Sequence, residues 1–95
     1  MILGKVVGHV VSTQKNPKLI GSKLLIVNPI KSKNELYDTT GNSEKEIIIT
    51  VDMIGAGVGE TVIVTQDYAA ANAAGDPESP VNAAIIGIVD TVDIF

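Results

Sequence analysis

Residues 46–65, EIIITVDMIGAGVGETVIVT, contain two apolar segments separated by a glycine-rich stretch. The first segment, residues 46–52, and the second, residues 60–65, consist mainly of Ile, Val and Thr, which are β-branched and favour strands. Glycine between two strands indicates a tight turn, because glycine adopts backbone conformations that other residues avoid. This stretch therefore predicts two strands joined by a turn over residues 53–59.

On either side of this stretch the chain contains three more strand-like segments and one helical segment. Strands are predicted for residues 1–11, 23–27 and 81–94, and two glycines in the first of them indicate bends or a bulge. An aspartate N-cap and a run of alanines predict a short helix over residues 67–74, ended by the glycine and proline that follow. Five short strands and one helix predict a single all-β domain, residues 1–95, folded as a small OB-like five-stranded barrel.

Two of the predicted strands are apolar without alternation, at residues 47–49 and 85–89. A strand with one face in water should alternate apolar and polar residues. A barrel of this size has too little mass to cover the outer face of its own strands. We therefore expect another copy of the chain to cover that face, so that the protein is a homo-oligomer.

The composition argues against several classes of protein. The chain has a formal net charge of −4, all seven of its basic residues are lysines, and only 3% of its residues are aromatic. Nucleic-acid binding needs positive charge and stacking rings, so no nucleic-acid partner is expected. Without cysteine there are no disulfides or thiolate metal sites. The longest apolar run, residues 83–89, is too short for a membrane helix and no signal peptide is visible, so we expect a cytoplasmic protein without a membrane partner.

No motif in the chain indicates catalysis. The glycines of residues 55–59 are spaced G-x-G-x-G and lead into a strand, whereas a dinucleotide site needs G-x-G-x-x-G leading into a helix. His9 is the only histidine and has no candidate metal ligands beside it. The carboxylates that flank apolar strands are better explained as turn caps, edge protection or partners for lysines than as acid–base groups. They are Asp52, Glu60, Asp90 and Asp93. The expectation is a non-enzyme with no catalytic, cofactor-binding or metal-binding residue.

Four short motifs follow one another along the chain. They are VVSTQK at residues 10–15, KLL at 23–25, VDMIGAGVGE at 51–60 and AIIGIVDTV at 84–92. Together they resemble the EutN/CcmL family of bacterial microcompartment vertex proteins, and the last two are specific in combination. The resemblance implies an OB-like barrel that assembles as a cyclic homo-pentamer, occupies the five-fold corners of a polyhedral shell and contacts hexameric shell proteins. It fails mainly in residues 31–45, which we expect to form a mobile loop or an exposed hairpin.

The resemblance also implies which residues carry assembly. Gly55, Ala56 and Gly57 are expected near the five-fold axis, where five copies of a bulky side chain would collide. Residues 67–71 are expected to contact the hexameric shell proteins. The family usually has Gly-Ser-x-Ala-Arg there, whereas this chain has Asp67-Tyr68-Ala69-Ala70-Ala71, so Ala71 stands in place of the arginine. Contacts between subunits are expected from Ser12, Thr13, Lys15, Ile48, Ile86 and Ile88.

Two other functions are compatible with a small acidic β protein. One is another ring-forming β protein such as a co-chaperonin, whose partner-binding loop would be residues 31–45. That loop has little apolar content beyond Leu36 and Tyr37, which disfavours this alternative. The other is an OB-fold ligand-binding module, for which salt-dependent binding of single-stranded DNA would be the supporting observation.

Overall fold

The computed structural model describes residues 1–11, 17, 23–31, 46–73 and 81–92, except for the side chain of Tyr68. Within these ranges the chain forms five strands and one helix. They are β1 (Ile2–Val10), β2 (Lys23–Ile30), β3 (Ile48–Asp52), β4 (Thr61–Gln66), α1 (Asp67–Ala73) and β5 (Ala83–Ile88). Apart from its first residue, the predicted loop at 31–45 lies outside the described residues, as does the predicted end of the helix. No helix in the described ranges is long and apolar enough to cross a membrane.

The five strands close into a barrel in the order β1-β2-β3-β5-β4. β3 and β5 pair in parallel, and every other neighbouring pair is antiparallel. The predicted all-β five-stranded barrel with one short helix is therefore confirmed. Because β3 and β5 run in the same direction, their carboxyl-terminal ends meet at one edge of the barrel.

Two strand boundaries differ from the prediction. β2 was expected to end at residue 27 but continues to Ile30 through Pro29. Its pairing with β3 stops at Val27, so a residue without an N–H group is tolerated beyond that point. β5 ends at Ile88 instead of running to residue 94, because its partner β4 begins at Thr61, directly before the residue paired with Ile88.

β1 and β5 each carry one residue more than the strand they pair with. Val7 is the extra residue of β1 opposite β2, and Ile86 is the extra residue of β5 opposite β4. The bulge predicted in β1 is confirmed, and β5 has a similar irregularity at Ile86, directly before Gly87. A bulge redirects its side chain, and both of these apolar side chains are exposed.

The apolar side chains form two clusters, one inside the barrel and one outside it. The interior cluster contains Val6, Leu25, Val27, Ala56, Val62, Val64, Ala83 and Ile85. The outer cluster contains Val51, Ala70, Val81 and Ala84, with Leu24 packed against it. α1 therefore covers part of the outer face of the barrel and packs on β4 and β5. The alanines of α1 are small enough to pack closely on the sheet, so the chain itself covers part of the face that we expected another copy to cover.

Gly4 lies where β1 approaches β2 most closely, and Gly4→Ala is expected to destabilise the barrel. A Cβ at this position would overlap Cγ1 of Val27, a stiff and fully buried side chain, and would lie 3.3 Å from the Asn28 carbonyl oxygen. Overpacking of this kind costs about 1–3 kcal/mol. Urea unfolding of the variant measures the loss.

Gly8→Ala is the matched control for this prediction. A Cβ at position 8 would meet only Ile26, with Cδ1 at 3.5 Å and Cβ at 4.0 Å, and both are ordinary contacts. We expect a change of less than about 0.5 kcal/mol. Equal losses in the two variants would contradict the assignment of close strand packing to Gly4.

Candidate assembly surface

The turn between β3 and β4 is organised by the carboxylate of Asp52. Its Oδ1 accepts hydrogen bonds from the backbone N–H groups of Ile54 and Gly55, both at 3.1 Å. The Asp52 side chain is only 1% exposed, although it stands at the end of a strand. Of the roles predicted for the flanking carboxylates, the structure shows turn capping at this position.

Side chains and backbone from other strands hold the rest of the turn. Lys23 Nζ, from the start of β2, donates to the Ala56 carbonyl at 2.7 Å and lies 3.5 Å from Asp52 Oδ2. The Gly57 N–H donates to Glu60 Oε1 at 2.6 Å. The turn is thus fixed by charged groups at both ends.

β1 supplies two further anchors for the same turn. The Gly59 N–H donates to the Val6 carbonyl at 2.8 Å, and the Val6 N–H donates to the Glu60 carbonyl at 2.9 Å. With Lys23 from β2, two strands outside the β3–β4 connection therefore hold it. A turn with this many internal bonds has little freedom left to lose on association.

The pKa of Asp52 is lowered from the ordinary carboxyl value. Burial of the carboxyl is the largest single influence and favours the neutral form. The backbone N–H groups of Ile54, Ala56 and Gly55, together with the positive charge of Lys23, outweigh it and stabilise the carboxylate. Asp52 therefore contributes to stability only while it is ionised.

Asp52→Asn is expected to lower the free energy of unfolding at neutral pH by about 1–3 kcal/mol, because hydrogen bonds to a charged acceptor are lost. A carboxyl with a lowered pKa contributes fully above its unfolded-state pKa of about 3.9, and the contribution disappears as the pH falls through the lower pKa of the folded state. Urea unfolding of wild type and variant should therefore differ at neutral pH and converge once the pH falls below the lowered pKa of the folded state.

Glu46→Gln provides the control for the Asp52 substitution. Glu46 forms an exposed ion pair with Lys31, and both side chains are more than half exposed. Such pairs contribute about 0–1 kcal/mol. If Asp52→Asn were no more costly than this control, or if its cost persisted in acid after the carboxyl was protonated, the capping role would be wrong.

The small residues of the turn are explained by different structural features. Gly55 and Gly59 have φ angles of 86° and 94°, in the left-handed region where glycine is favoured. Gly57 does not, and a Cβ there would meet only Glu60 Oε1, at 3.4 Å. Ala56 is fully buried in the barrel interior. Packing inside the protomer explains its small size. The placement of residues 55–57 near a five-fold axis stays a prediction.

Five apolar side chains lie exposed at the edge where β3 and β5 end. In the parallel register Asp52, the last residue of β3, is level with Ile85. Met53 and Ile86 are the residues that directly follow this pair in the chain. The turn adds Ile54 and Val58, and β5 adds Ile88, two residues after Ile86. We call this set the apolar edge: Met53, Ile54, Val58, Ile86 and Ile88, with exposures of 46%, 44%, 61%, 40% and 37%.

The residues predicted to contact other subunits fall into three groups. Ile86 and Ile88 are exposed and belong to the apolar edge. Ile48 packs against the interior cluster, whereas its neighbour Ile49 is 44% exposed. A run of three isoleucines does not reveal this alternation along β3, and a contact of Ile48 with another subunit stays a prediction. Ser12, Thr13 and Lys15 lie outside the described residues.

The residues predicted to contact hexameric shell proteins belong to α1. Asp67 and Ala69 are exposed, but Ala70 and Ala71 are buried with 0% and 4% exposure. The side chains of these two are covered within the protomer, and the contact of the segment with hexameric shell proteins stays a prediction. Nothing is described of the Tyr68 side chain. Asp67 has a φ of 61°, which aspartate tolerates better than most residues.

The roles of Lys23 and of the exposed side chains of the turn were not predicted from the sequence. Lys23 pairs with Asp52 across β2 and β3, 29 residues apart in the chain. Only the strand register reveals this pair, and no local motif marks it. Met53, Ile54 and Val58 could have been noticed as apolar residues inside a predicted turn, where polar residues are usual.

A family model described as "Ethanolamine utilisation protein EutN/carboxysome" matches residues 1–90 of this chain. The bacterial microcompartment shell vertex protein PduN of Salmonella typhimurium is 40% identical over 92 residues, covering 97% of this chain and 98% of that protein. The pentameric microcompartment shell protein GrpN of Rhodospirillum rubrum is 41% identical with a TM-score of 0.79, covering 100% of this chain and 99% of that one. The carboxysome shell vertex protein CcmL of Synechocystis is 39% identical over 94 residues, covering 99% of this chain and 87% of that protein.

The fold defines a small five-stranded β-barrel protein whose described surface includes a rigid apolar edge. The chain belongs to the EutN/CcmL family. The resemblance stated from its sequence motifs is thereby confirmed. Among the described residues no group of three or more His, Asp or Glu side chains could hold a metal ion.

Proposed function

We propose that this protein is a structural vertex protein of a bacterial microcompartment shell in the cytoplasm, with five copies closing into a ring at each five-fold corner. The observation that carries the proposal is the match, along the whole chain, to a pentameric microcompartment shell protein at 41% identity. The function is geometric and needs no catalytic group. A flat hexagonal sheet cannot close, and five-fold units introduce the curvature that seals it.

The ring requires two different surfaces of each barrel to meet head to tail. The apolar edge is our candidate for one of them, and Ile86 and Ile88 within it are the contacts that the sequence also indicated. Ser12, Thr13 and Lys15 stay candidates for the other surface. The backbone of residues 55–57 is the segment that we place near the five-fold axis.

The outer rim of the ring would contact hexameric shell proteins through the exposed residues of α1, Asp67 and Ala69. Without an arginine at position 71 this contact would depend on other groups of the helix. The alternative functions, a co-chaperonin or an OB-fold ligand-binding module, have no described feature in their favour, and the relatives are shell proteins.

Two measurements test the proposal. The native mass should be about 50 kDa, five times 9.9 kDa, over micromolar concentrations. Co-expression with hexameric shell proteins should give closed particles, and omission of this chain should give open or elongated ones. A stable monomer, or particles that close equally well without the chain, would contradict the proposed function.

A further inference from the structure

The turn between β3 and β4 combines two properties that seldom occur together. Its backbone is tied down at both ends by Asp52 and Glu60 and from the side by Lys23. Yet residues 53–59 contain no charged side chain. A turn that served only to connect two strands would be expected to expose polar residues.

The exposed side chains of the turn are apolar. Met53, Ile54 and Val58 have exposed fractions of 46%, 44% and 61%. The charged groups that fix the turn are instead directed to its own backbone: Asp52 to two N–H groups and Lys23 to the Ala56 carbonyl. The arrangement leaves an uncharged surface on a backbone that is already ordered in the single subunit.

We infer that this turn is a preformed contact element for the adjacent copy of the chain, and that Lys23 is the positioning residue that holds it in its binding conformation. The inference rests on the proposed ring. Association is weakened by the entropy of ordering loops at an interface, and a turn fixed beforehand avoids that cost. Lys23 acts through the turn, since its ammonium group bonds to Ala56 and Asp52.

Three observations identify the occupant as a second copy of this chain. The turn begins directly after Asp52, which is paired with Ile85, so it starts beside the part of β5 that we assign to the ring. Its lack of charge fits an apolar protein surface and offers nothing to a phosphate or a nucleic acid. The pentameric relative matches the chain across this segment.

Lys23→Met tests the positioning role, because methionine keeps the apolar stem but removes the bonds to Ala56 and Asp52. The concentration at which the ring half-dissociates, measured by sedimentation or mass photometry, should rise about tenfold, as for loss of a hydrogen bond to a charged group. The matched control is Lys31→Met, which breaks the exposed pair with Glu46 at the other end of β2. It should change the half-dissociation concentration of the ring less than about twofold.

Lys23→Arg is the conservative variant and separates positioning from a general loss of stability. A guanidinium can donate to both the carbonyl and the carboxylate, so the half-dissociation concentration should return to within about threefold of wild type. Failure of the arginine variant to rescue, or no effect of Lys23→Met on the ring, would overturn the inference.

Val58→Asp tests the contact surface without touching the hydrogen bonds of the turn. It should raise the half-dissociation concentration at least about tenfold with an unchanged circular dichroism spectrum. Asn72→Asp places the same charge on the exposed face of α1 and should leave the ring intact. If wild type is not a pentamer, the proposed function fails; if wild type is a pentamer and Val58→Asp is too, only this inference fails.

Discussion

Ile86→Asp is expected to convert a ring of about 50 kDa into a folded monomer of 9.9 kDa. Ile86 is the extra residue of β5, and its side chain is 40% exposed in the single subunit. A carboxylate at this position stays hydrated in the monomer, so the barrel itself should remain folded. In the ring it would be buried without a partner, which costs several kcal/mol.

Symmetry amplifies this effect. A cyclic ring repeats each contact once per subunit, so one substitution places a carboxylate in all five interfaces. We expect the concentration at which the ring half-dissociates to rise at least about 100-fold. The variant would then be a monomer at the concentrations used in ordinary purification. Size-exclusion chromatography with light scattering measures the mass, and circular dichroism reports whether the barrel is intact.

Asn72→Asp serves as the control here as well, since it adds the same charge on the exposed side of α1. It should run with the mass of wild type. A pentameric Ile86→Asp protein would show that Ile86 faces solvent in the ring and that the apolar edge is not the subunit interface.

The barrel was predictable because its strands consist of β-branched residues bounded by glycine and proline. The position of α1 on the outside of the barrel was not. Ala70 and Ala84 pack together there, and only the tertiary structure shows that two small residues allow a helix to cover a strand. Strand pairing could not be predicted from the sequence either, because the contact of Lys23 with Asp52 depends on the register of β2 and β3 and not on neighbouring residues.

The candidate assembly surface, like the fold, could be predicted only in part from the sequence. The sequence showed that apolar residues exceed what one small barrel can bury, and it indicated Ile86 and Ile88. It could not show that Ile86 is redirected by an extra residue in β5, because bulges depend on the length of the partner strand. The vertex role itself was indicated by the resemblance of the sequence motifs to the EutN/CcmL family, because general physical principles do not give the number of subunits in a ring.

The three consecutive isoleucines of the third strand provide the sharpest test of the register. Ile48 packs against the interior cluster, whereas Ile49 is 44% exposed. Ile48→Asp would place a carboxylate among buried valines and leucine with no partner, a cost of several kcal/mol. This approaches the total stability of about 5–15 kcal/mol typical of a domain. We therefore expect Ile48→Asp to unfold the protein or to lower its thermal midpoint by more than about 15 °C.

Ile49→Asp carries the same charge one residue later on the opposite face of the strand. Its carboxylate would point to water in the single subunit, so the barrel should keep its circular dichroism spectrum and most of its thermal stability. The pair of variants separates folding from assembly, because only the inward position threatens the monomer. If the two variants lost stability equally, the alternation along β3 would be wrong. If Ile49→Asp unfolded and Ile48→Asp did not, the strand would face the other way, and the interior cluster would have to be redrawn.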